Sequence, residues 1–351
     1  MKKKALFVTL ADKNYLEYAK QVFAGAYFNA GWQGDYMLLA HDCTQKDTQW
    51  FQKKKILVKH YKPIYQNQIA DTPPVIISKL YLFTPEFKKW SHIIYYDVDI
   101  IIRTSLERLL GVKGFASVED VYFSRLESEI VQKGKIISRG ISIAEFKKLK
   151  LNLKHKYDFN DHNFGAGMFV LNTNLIKNET FYEIKKIIDD YHKIAANADE
   201  FALNMYFYKN WRHLSPIYDV YVNTNGKNQW NLPLGNIEGM VMHIIGPVKP
   251  WNKKCVFYKE WEEMYGKSDQ IDLKNVLSGK KWNIFKKIYW SYKYKTRNII
   301  YNVGLKYYLQ NIFYYHWRQI YYRIVIYFEN KYPKKFKIVK NIKKEITGLF
   351  R

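Results

Sequence analysis

Over roughly residues 1–265, short uncharged apolar runs alternate with stretches whose apolar residues recur every three or four positions. Runs of four to eight β-branched and aromatic residues read as buried strands, and the wider spacing reads as one face of a helix. Residues 5–10 are the first strand and 15–28 the helix after it. Residues 36–40 and 56–60 are further strands, and 79–83 begin a helix that Pro85 disturbs by removing a backbone donor. His92-Ile93-Ile94-Tyr95-Tyr96 is a strand; apolar residues continue at 100–102, and 115–118 and 167–172 are strands too. Phe181, Ile184, Ile187, Ile188 and Tyr191 share one helix face within 180–195, and another helix spans 199–208. This alternation predicts an α/β domain around a mostly parallel sheet. Residues 121–160 lose the periodicity and turn basic, so they read as an insertion or mobile loop of the kind that covers active sites.

Charge changes the picture at the C-terminal end. The 351 residues carry 57 Lys+Arg against 32 Asp+Glu, a formal net charge of +25 that implies an anionic partner. Much of the excess lies in residues 280–351, where lysines interleave with tryptophans and tyrosines and Glu329 and Glu345 are the acids. This stretch reads as a basic, aromatic, partly helical extension, with a helix expected over 300–328, that docks on an anionic membrane surface. Nucleic acid would use similar residues, but charge confined to an appendage disfavours it, and packing of part of the stretch against the α/β domain is a third reading that is compatible with docking. Cys43 and Cys255 are far apart and suggest no disulfide framework, which fits a reducing cytoplasm. The N-terminal apolar stretch is short and runs into Asp12 and Lys13, so it reads as a strand and not as a signal peptide. No uninterrupted apolar run approaches the ~18 residues that a spanning helix needs.

The candidate chemistry begins where the strand at 92–96 ends. Asp97-Val98-Asp99 puts two carboxylates one residue apart at a strand exit, an arrangement suited to a hard divalent cation such as Mn2+ or Mg2+ that shares its coordination with phosphate oxygens. A solvated loop offers the same pattern, so further ligands are needed. The segment His243-Ile244-Ile245-Gly246-Pro247-Val248-Lys249-Pro250-Trp251 offers an imidazole, a glycine that admits a bulky anion, and a lysine to neutralise a diphosphate.

These segments resemble those of family 8 glycosyltransferases of the GT-A fold, a Rossmann-like nucleotide-diphospho-sugar transferase fold. The group includes glycogenin and the bacterial lipooligosaccharide α-galactosyltransferases. The matching stretches are Ala11-Asp12-Lys13-Asn14-Tyr15, Tyr95-Tyr96-Asp97-Val98-Asp99-Ile100, Phe164-Gly165-Ala166-Gly167 with Leu171-Asn172, and residues 243–251. They span about residues 5–255. The resemblance implies that Asp97, Asp99 and His243 hold a metal ion on the diphosphate of a UDP-sugar. It places Asp12 and Asn14 near the uridine and ribose, Lys79 near the donor sugar and phosphates, and Gly246 and Lys249 on the diphosphate. Gly165, Ala166 and Gly167 would line the sugar and acceptor pocket. The implied activity is retaining hexosyl transfer, of galactose or glucose, to a glycan or glycolipid acceptor in bacterial surface-polysaccharide synthesis. The enzyme would work in the cytoplasm at the inner face of the membrane. The alternatives are an inverting transferase, and a basic membrane- or nucleic-acid-binding protein whose transferase domain is inactive.

Two positions depart from the family pattern. Asp199-Glu200-Phe201-Ala202-Leu203-Asn204 resembles the segment D-Q-x-x-L-N beneath the reacting anomeric carbon, with Glu200 replacing glutamine. A carboxylate there is either a nucleophile or a stabiliser of an oxocarbenium-like transition state, unless Asp199 and Glu200 only charge a helix N-terminus. Gly165 stands where relatives commonly have asparagine, and its missing side chain is expected to make room for a donor such as a UDP-N-acetylhexosamine.

Overall fold

A computed structural model describes residues 3–120, 125–224 and 233–297. Among these the apolar runs become β1 (Leu6–Ala11), β2 (Asp35–His41), β3 (Leu57–Tyr61), β4 (His92–Tyr96), β5 (Ile100–Ile102), β6 (Phe115–Ser117), β7 (Met168–Asn172), β8 (Trp211–His213), β9 (Val220–Asn223) and β10 (Val241–Ile245). The α-helices are α1 (Leu16–Ala24), α2 (Gln49–Lys53), α3 (Pro74–Ile77), α4 (Lys133–Ser138), α5 (Ile143–Lys154), α6 (Thr180–Tyr191), α7 (Ala198–Tyr206) and α8 (Tyr258–Gly266). The helix expected from residue 79 is instead a 3-10 turn, Ser78–Phe83, because Thr84 must be extended to precede Pro85.

A seven-stranded sheet has the order β3-β2-β1-β4-β7-β6-β8. The first four strands are mutually parallel, and β7 runs against both of its neighbours. Every residue of β1 is buried, as a strand covered on both faces requires. Side chains alternate between two cores: Phe7, Ile94 and Tyr96 join one, while Leu6, Val8, Ile93 and Tyr95 join the other. From β1 the chain proceeds to β2 on one side, and β4 lies on the other, so a crevice opens at the carboxyl ends of β1 and β4. A second sheet, β5-β10-β9, lies directly after that crevice in the chain, with β10 antiparallel to β5 and parallel to β9.

Two segments differ from the sequence expectation. The stretch read as an insertion or mobile loop over 121–160 is a folded insertion where it is described: Leu126, Ile130, Ile136, Phe146 and Leu153 form a core with Ile194, Phe201 and Met205. Its helical signal is faint because α5 buries only Phe146 and Leu153 among lysines. Residues 121–124 lie outside the described residues. The boundary near 265 also moves, since one compact unit runs to Thr296. The backbone of Lys280 bonds Asn29 and Ser105, each at 2.8 Å, and residues 284–297 are helical. Tyr294 is fully buried in the core under the second sheet, and its hydroxyl accepts from the Glu238 N–H at 3.0 Å. The helix expected over 300–328 lies outside the described residues. Among the described residues no helix is long and apolar enough to cross a membrane.

In the full chain, Tyr294→Ala is expected to lower unfolding stability by about 3–5 kcal/mol, the range for deleting a buried aromatic ring. The exposed Phe285→Ala should stay within about 0.5 kcal/mol. Urea denaturation distinguishes them, and equal effects would mean that residues 284–297 do not pack as described.

Candidate active site

The change of sheet between β4 and β5 sets the site. The Asp97 N–H donates to the Gly167 carbonyl at 2.9 Å, extending the β4–β7 ladder by one step, while the Asp99 carbonyl accepts from the Ile244 N–H at 2.9 Å. His243 is paired with Ile100 across the β10–β5 ladder. One ligand atom from each of Asp97, Asp99 and His243 lies within 4.8 Å of the others. Two carboxylates and an imidazole fit a divalent cation of the Mn2+ or Mg2+ kind. Asp219, immediately before β9, sits 3.1 Å from His243 Nδ1, and Asp99 sits 3.1 Å from Nε2. An Nδ1–H donated to Asp219 aims Nε2 at the carboxylates, and once that nitrogen has lost its proton this is the orientation a ligating histidine needs.

Charges are shared closely here. Burial opposes a charged imidazole, but Asp99 and Asp219 outweigh it and raise the pKa of His243 well above its usual value. Burial also raises Asp97, with Asp99 adding to the effect against Lys79. Asp99 is shifted the other way: burial is outweighed by His243 and by Lys249, whose Nζ is 2.5 Å from Asp99 Oδ2. Lys249 thus stands at the triad, its ammonium against one of the ligand carboxylates.

Lys79 lies beneath the site and not on its surface. It is 1% exposed, with Nζ 2.9 Å from Asp199 Oδ2, 3.5 Å from Asp97 Oδ1 and 3.0 Å from the Ala166 carbonyl. Burial works against its charge, yet Asp199 and Asp97 raise its pKa, so it stays an ammonium. Asp199 and Glu200 occupy the first turn of α7, where carboxylates are favoured by the helix dipole. The Ala166 N–H donates to Glu200 Oε2 at 3.2 Å. The peptide units around Ala166 therefore tie Lys79 to Glu200, between the triad and α7.

The three glycines have distinct reasons. A Cβ on Gly167 would fall 2.4 Å from His243 Cε1 and 3.2 Å from Asp97 Oδ2, so only glycine lets the triad close. Gly246 has φ +90°, a left-handed turn that exposes backbone after β10. Gly165 does not open space as expected: a Cβ there would meet the Tyr221 hydroxyl at 2.0 Å, so the phenol already fills the position. The Tyr221 ring also stacks on His243, with centroids 4.9 Å apart.

Asp12 and Asn14 lie at the carboxyl end of β1, beside β4. Asp12 Oδ1 accepts from the Asn14 N–H at 2.9 Å and turns the chain into α1. Trp251 stacks on Tyr18 of α1 at 3.9 Å, fastening the segment after His243 to the same crevice. The sequence reading missed Asp219 and Tyr221. Their roles follow from β9 lying beside β10, in the register His243↔Tyr221. No local pattern in residues 215–223 announces that pairing.

Residues 7–255 match the family model described as Glycosyl transferase family 8. Galactinol synthase 2 of Arabidopsis thaliana is 27% identical over 242 residues, covering 64% of this chain and 68% of that protein. Among solved structures, apo WbbM, a bifunctional glycosyltransferase, aligns with a TM-score of 0.55 at 15% identity over 78% of this chain. The chain covers 52% of WbbM's length. An active-site mutant of LgtC aligns with a TM-score of 0.54 at 15% identity, over 75% of this chain and 95% of that one. At such identities the structural likeness establishes the fold, GT-A, with its largely parallel central sheet. The family match covers every segment that builds the site, from β1 through the triad to Lys249, and the chain belongs to glycosyl transferase family 8.

Proposed function

We propose that the chain is a retaining hexosyltransferase that moves galactose or glucose from a UDP-sugar to a glycan or glycolipid acceptor in bacterial surface-polysaccharide synthesis. The observation that carries this reading is the convergence of Asp97, Asp99 and His243 beside the Lys79–Asp199 pair and Glu200. A divalent cation, Mn2+ or Mg2+, held by those three side chains supplies the Lewis acid that takes up charge developing on the diphosphate leaving group. Lys249 adds a positive charge at the same end, and a contact of this kind is typically worth about 3 kcal/mol in a transition state. The turn at Gly246 brings backbone close to the diphosphate, and Asp12 and Asn14 face the nucleoside end of the crevice. Lys79 holds Asp199 and Asp97 in place, and Glu200 lies beneath the sugar. The relatives' names, galactinol synthase and galactosyltransferase LgtC, favour galactose. The filled space at Gly165 removes the argument for a bulkier N-acetylated donor.

The enzyme acts in the cytoplasm, at the inner face of the membrane. Support comes from residues 284–297, where Ile284, Phe285, Ile288, Tyr289 and Tyr292 are all exposed in a stretch that includes Lys286, Lys287 and Lys293. Aromatic and aliphatic side chains with neighbouring lysines suit an anionic lipid interface.

Turnover of UDP-galactose or UDP-glucose in the presence of Mn2+ is expected to vanish with EDTA or with Asp97→Ala. An absence of turnover and of UDP binding across a donor panel would refute the transferase reading. NMR of the product should show an α-linkage from the α-linked donor; a β-linkage would assign inversion instead. Asp219→Asn should weaken Mn2+ binding roughly 10- to 100-fold, as removal of a ligand-orienting partner does. Isothermal titration reads this, and unchanged affinity would dismiss Asp219 as an orienting residue. For membrane docking, the double variant Phe285→Ser, Tyr289→Ser is expected to lose sedimentation with anionic vesicles. Retained sedimentation would rule this helix out as the docking element.

A further inference from the structure

A tight turn just before α3 grips the helix that carries Asp199 and Glu200. The first N–H groups of a helix have no partner inside it. In α7 the N-cap residue, Asn197, makes no side-chain bond to them. The Ala198 N–H instead donates to Thr72 Oγ1 at 2.7 Å, across 126 positions of sequence. Thr72 is 3% exposed, and its hydroxyl donates to the Ala70 carbonyl at 3.3 Å, which leaves the oxygen lone pairs to face Ala198. Lys79, seven positions after Thr72, holds Asp199 at 2.9 Å. One short segment thus holds α7 at two successive residues, Ala198 by its backbone and Asp199 by its side chain.

The turn that presents Thr72 is strained. Ile69 and Thr72 exchange both backbone bonds, the Thr72 N–H donating at 2.8 Å and the Ile69 N–H at 3.1 Å. The two residues between them, Ala70 and Asp71, have φ of +49° and +60°. Asn-Gly makes such a turn at least cost, and residues with a Cβ persist there only where their surroundings hold them. Both are held. Ala70 packs against one core of the large sheet and against the core of the insertion. Asp71 Oδ2 accepts from Lys135 Nζ at 2.9 Å and from the Arg139 guanidinium at 2.8 Å. Arg139 also donates to the Ala195 carbonyl at 2.6 Å, two residues before the N-cap of α7. The insertion therefore fastens the turn and the start of α7 to each other.

We propose that Thr72 is a positioning residue for transfer: its hydroxyl fixes the first turn of α7 and so keeps Glu200 at the Ala166 N–H, beneath the sugar. The catalytic meaning rests on the transferase reading above; the clamp rests on the geometry of the turn. Removing the acceptor leaves the buried Ala198 N–H without its partner, a cost that the helix start relieves by moving. Asp199 keeps its hold on Lys79 in that case, and Glu200, whose bond to the Ala166 N–H is 3.2 Å long, is the residue that shifts.

Thr72→Val keeps the shape of the side chain and removes the acceptor, whereas Thr72→Ser keeps the acceptor. In the full chain with Mn2+ and UDP-galactose or UDP-glucose, whichever the native chain turns over, Thr72→Val is expected to lower kcat roughly 10- to 100-fold, the cost of a misplacement near 1 Å, with donor KM within about twofold. Thr72→Ser should recover most of that loss. Amide hydrogen exchange read by mass spectrometry, with Mn2+ and UDP bound, follows the clamp itself. The peptide that contains Ala198 should exchange about tenfold faster in Thr72→Val and near the native rate in Thr72→Ser. Unchanged exchange in that peptide overturns the clamp. Faster local exchange with native kcat overturns the positioning role and leaves the transferase reading intact. Faster exchange over the whole chain, with kcat and KM altered together, indicates packing alone and overturns the proposal. Faster local exchange in a chain that transfers no sugar refutes the positioning role together with that reading.

Discussion

The site depends on the chain leaving one sheet and entering another within three residues. Tyr96 still pairs with Met168 in the large sheet, and Ile100 already pairs with His243 in the small one. Asp97 is therefore held by the backbone of one sheet through Gly167, and Asp99 by the backbone of the other through Ile244. Carboxylates this close repel one another, and Asp99 helps to push up the pKa of Asp97. Backbone ladders on both sides hold them together where side-chain attraction alone would not. The same closeness forces glycine at 167, since a methyl group there would occupy the space of the His243 ring.

Lys79 extends this frame towards the sugar end. Burying an ammonium costs several kcal/mol unless partners satisfy it. Asp199, Asp97 and the Ala166 carbonyl do so, and the ring of Tyr95 lies 5.1 Å from Nζ. One cation thereby links the end of β4, the strand-entry loop before β7 and the first turn of α7. Its two carboxylate partners would face each other uncompensated without it. Lys79 is thus better placed to fix the distance between the metal ligands and α7 than to touch the phosphates itself.

What the sequence made legible follows from what burial imposes. β1, β4 and β7 are covered on both faces, so their residues had to be continuously apolar, and the carboxylates at the end of β4 stand out against that run. The helical insertion was obscured because α5 buries so few residues that lysines dominate its pattern. Composition misled at residue 280 for a different reason. Lysine and aromatic residues read as a surface appendage, but Trp282, Trp290 and Tyr294 complete the core beneath the small sheet while Phe285, on the helix that carries Trp290 and Tyr294, is 78% exposed. Only the partner surface separates the two kinds of aromatic residue. Asp219 was hidden more deeply, since it acts through a histidine 24 positions away.

One of the two departures from the expected family pattern, Gly165, is answered from outside the motif in which it occurs. Gly165 lacks the side chain that the family resemblance leads one to expect, and Tyr221 on β9 puts its hydroxyl where that side chain would begin. Glu200 carries an acid in place of an amide and accepts from the Ala166 N–H, while Asn204 one turn later on α7 ties the same region to Glu129 and Phe164. Each substitution alone would suggest a change in chemistry: a roomier donor pocket, or a new nucleophile. At Gly165 the spatial partner keeps the volume filled instead. A motif residue that differs from its family is therefore read correctly only with the side chain packed against it, which for Gly165 comes from 56 residues later in the sequence.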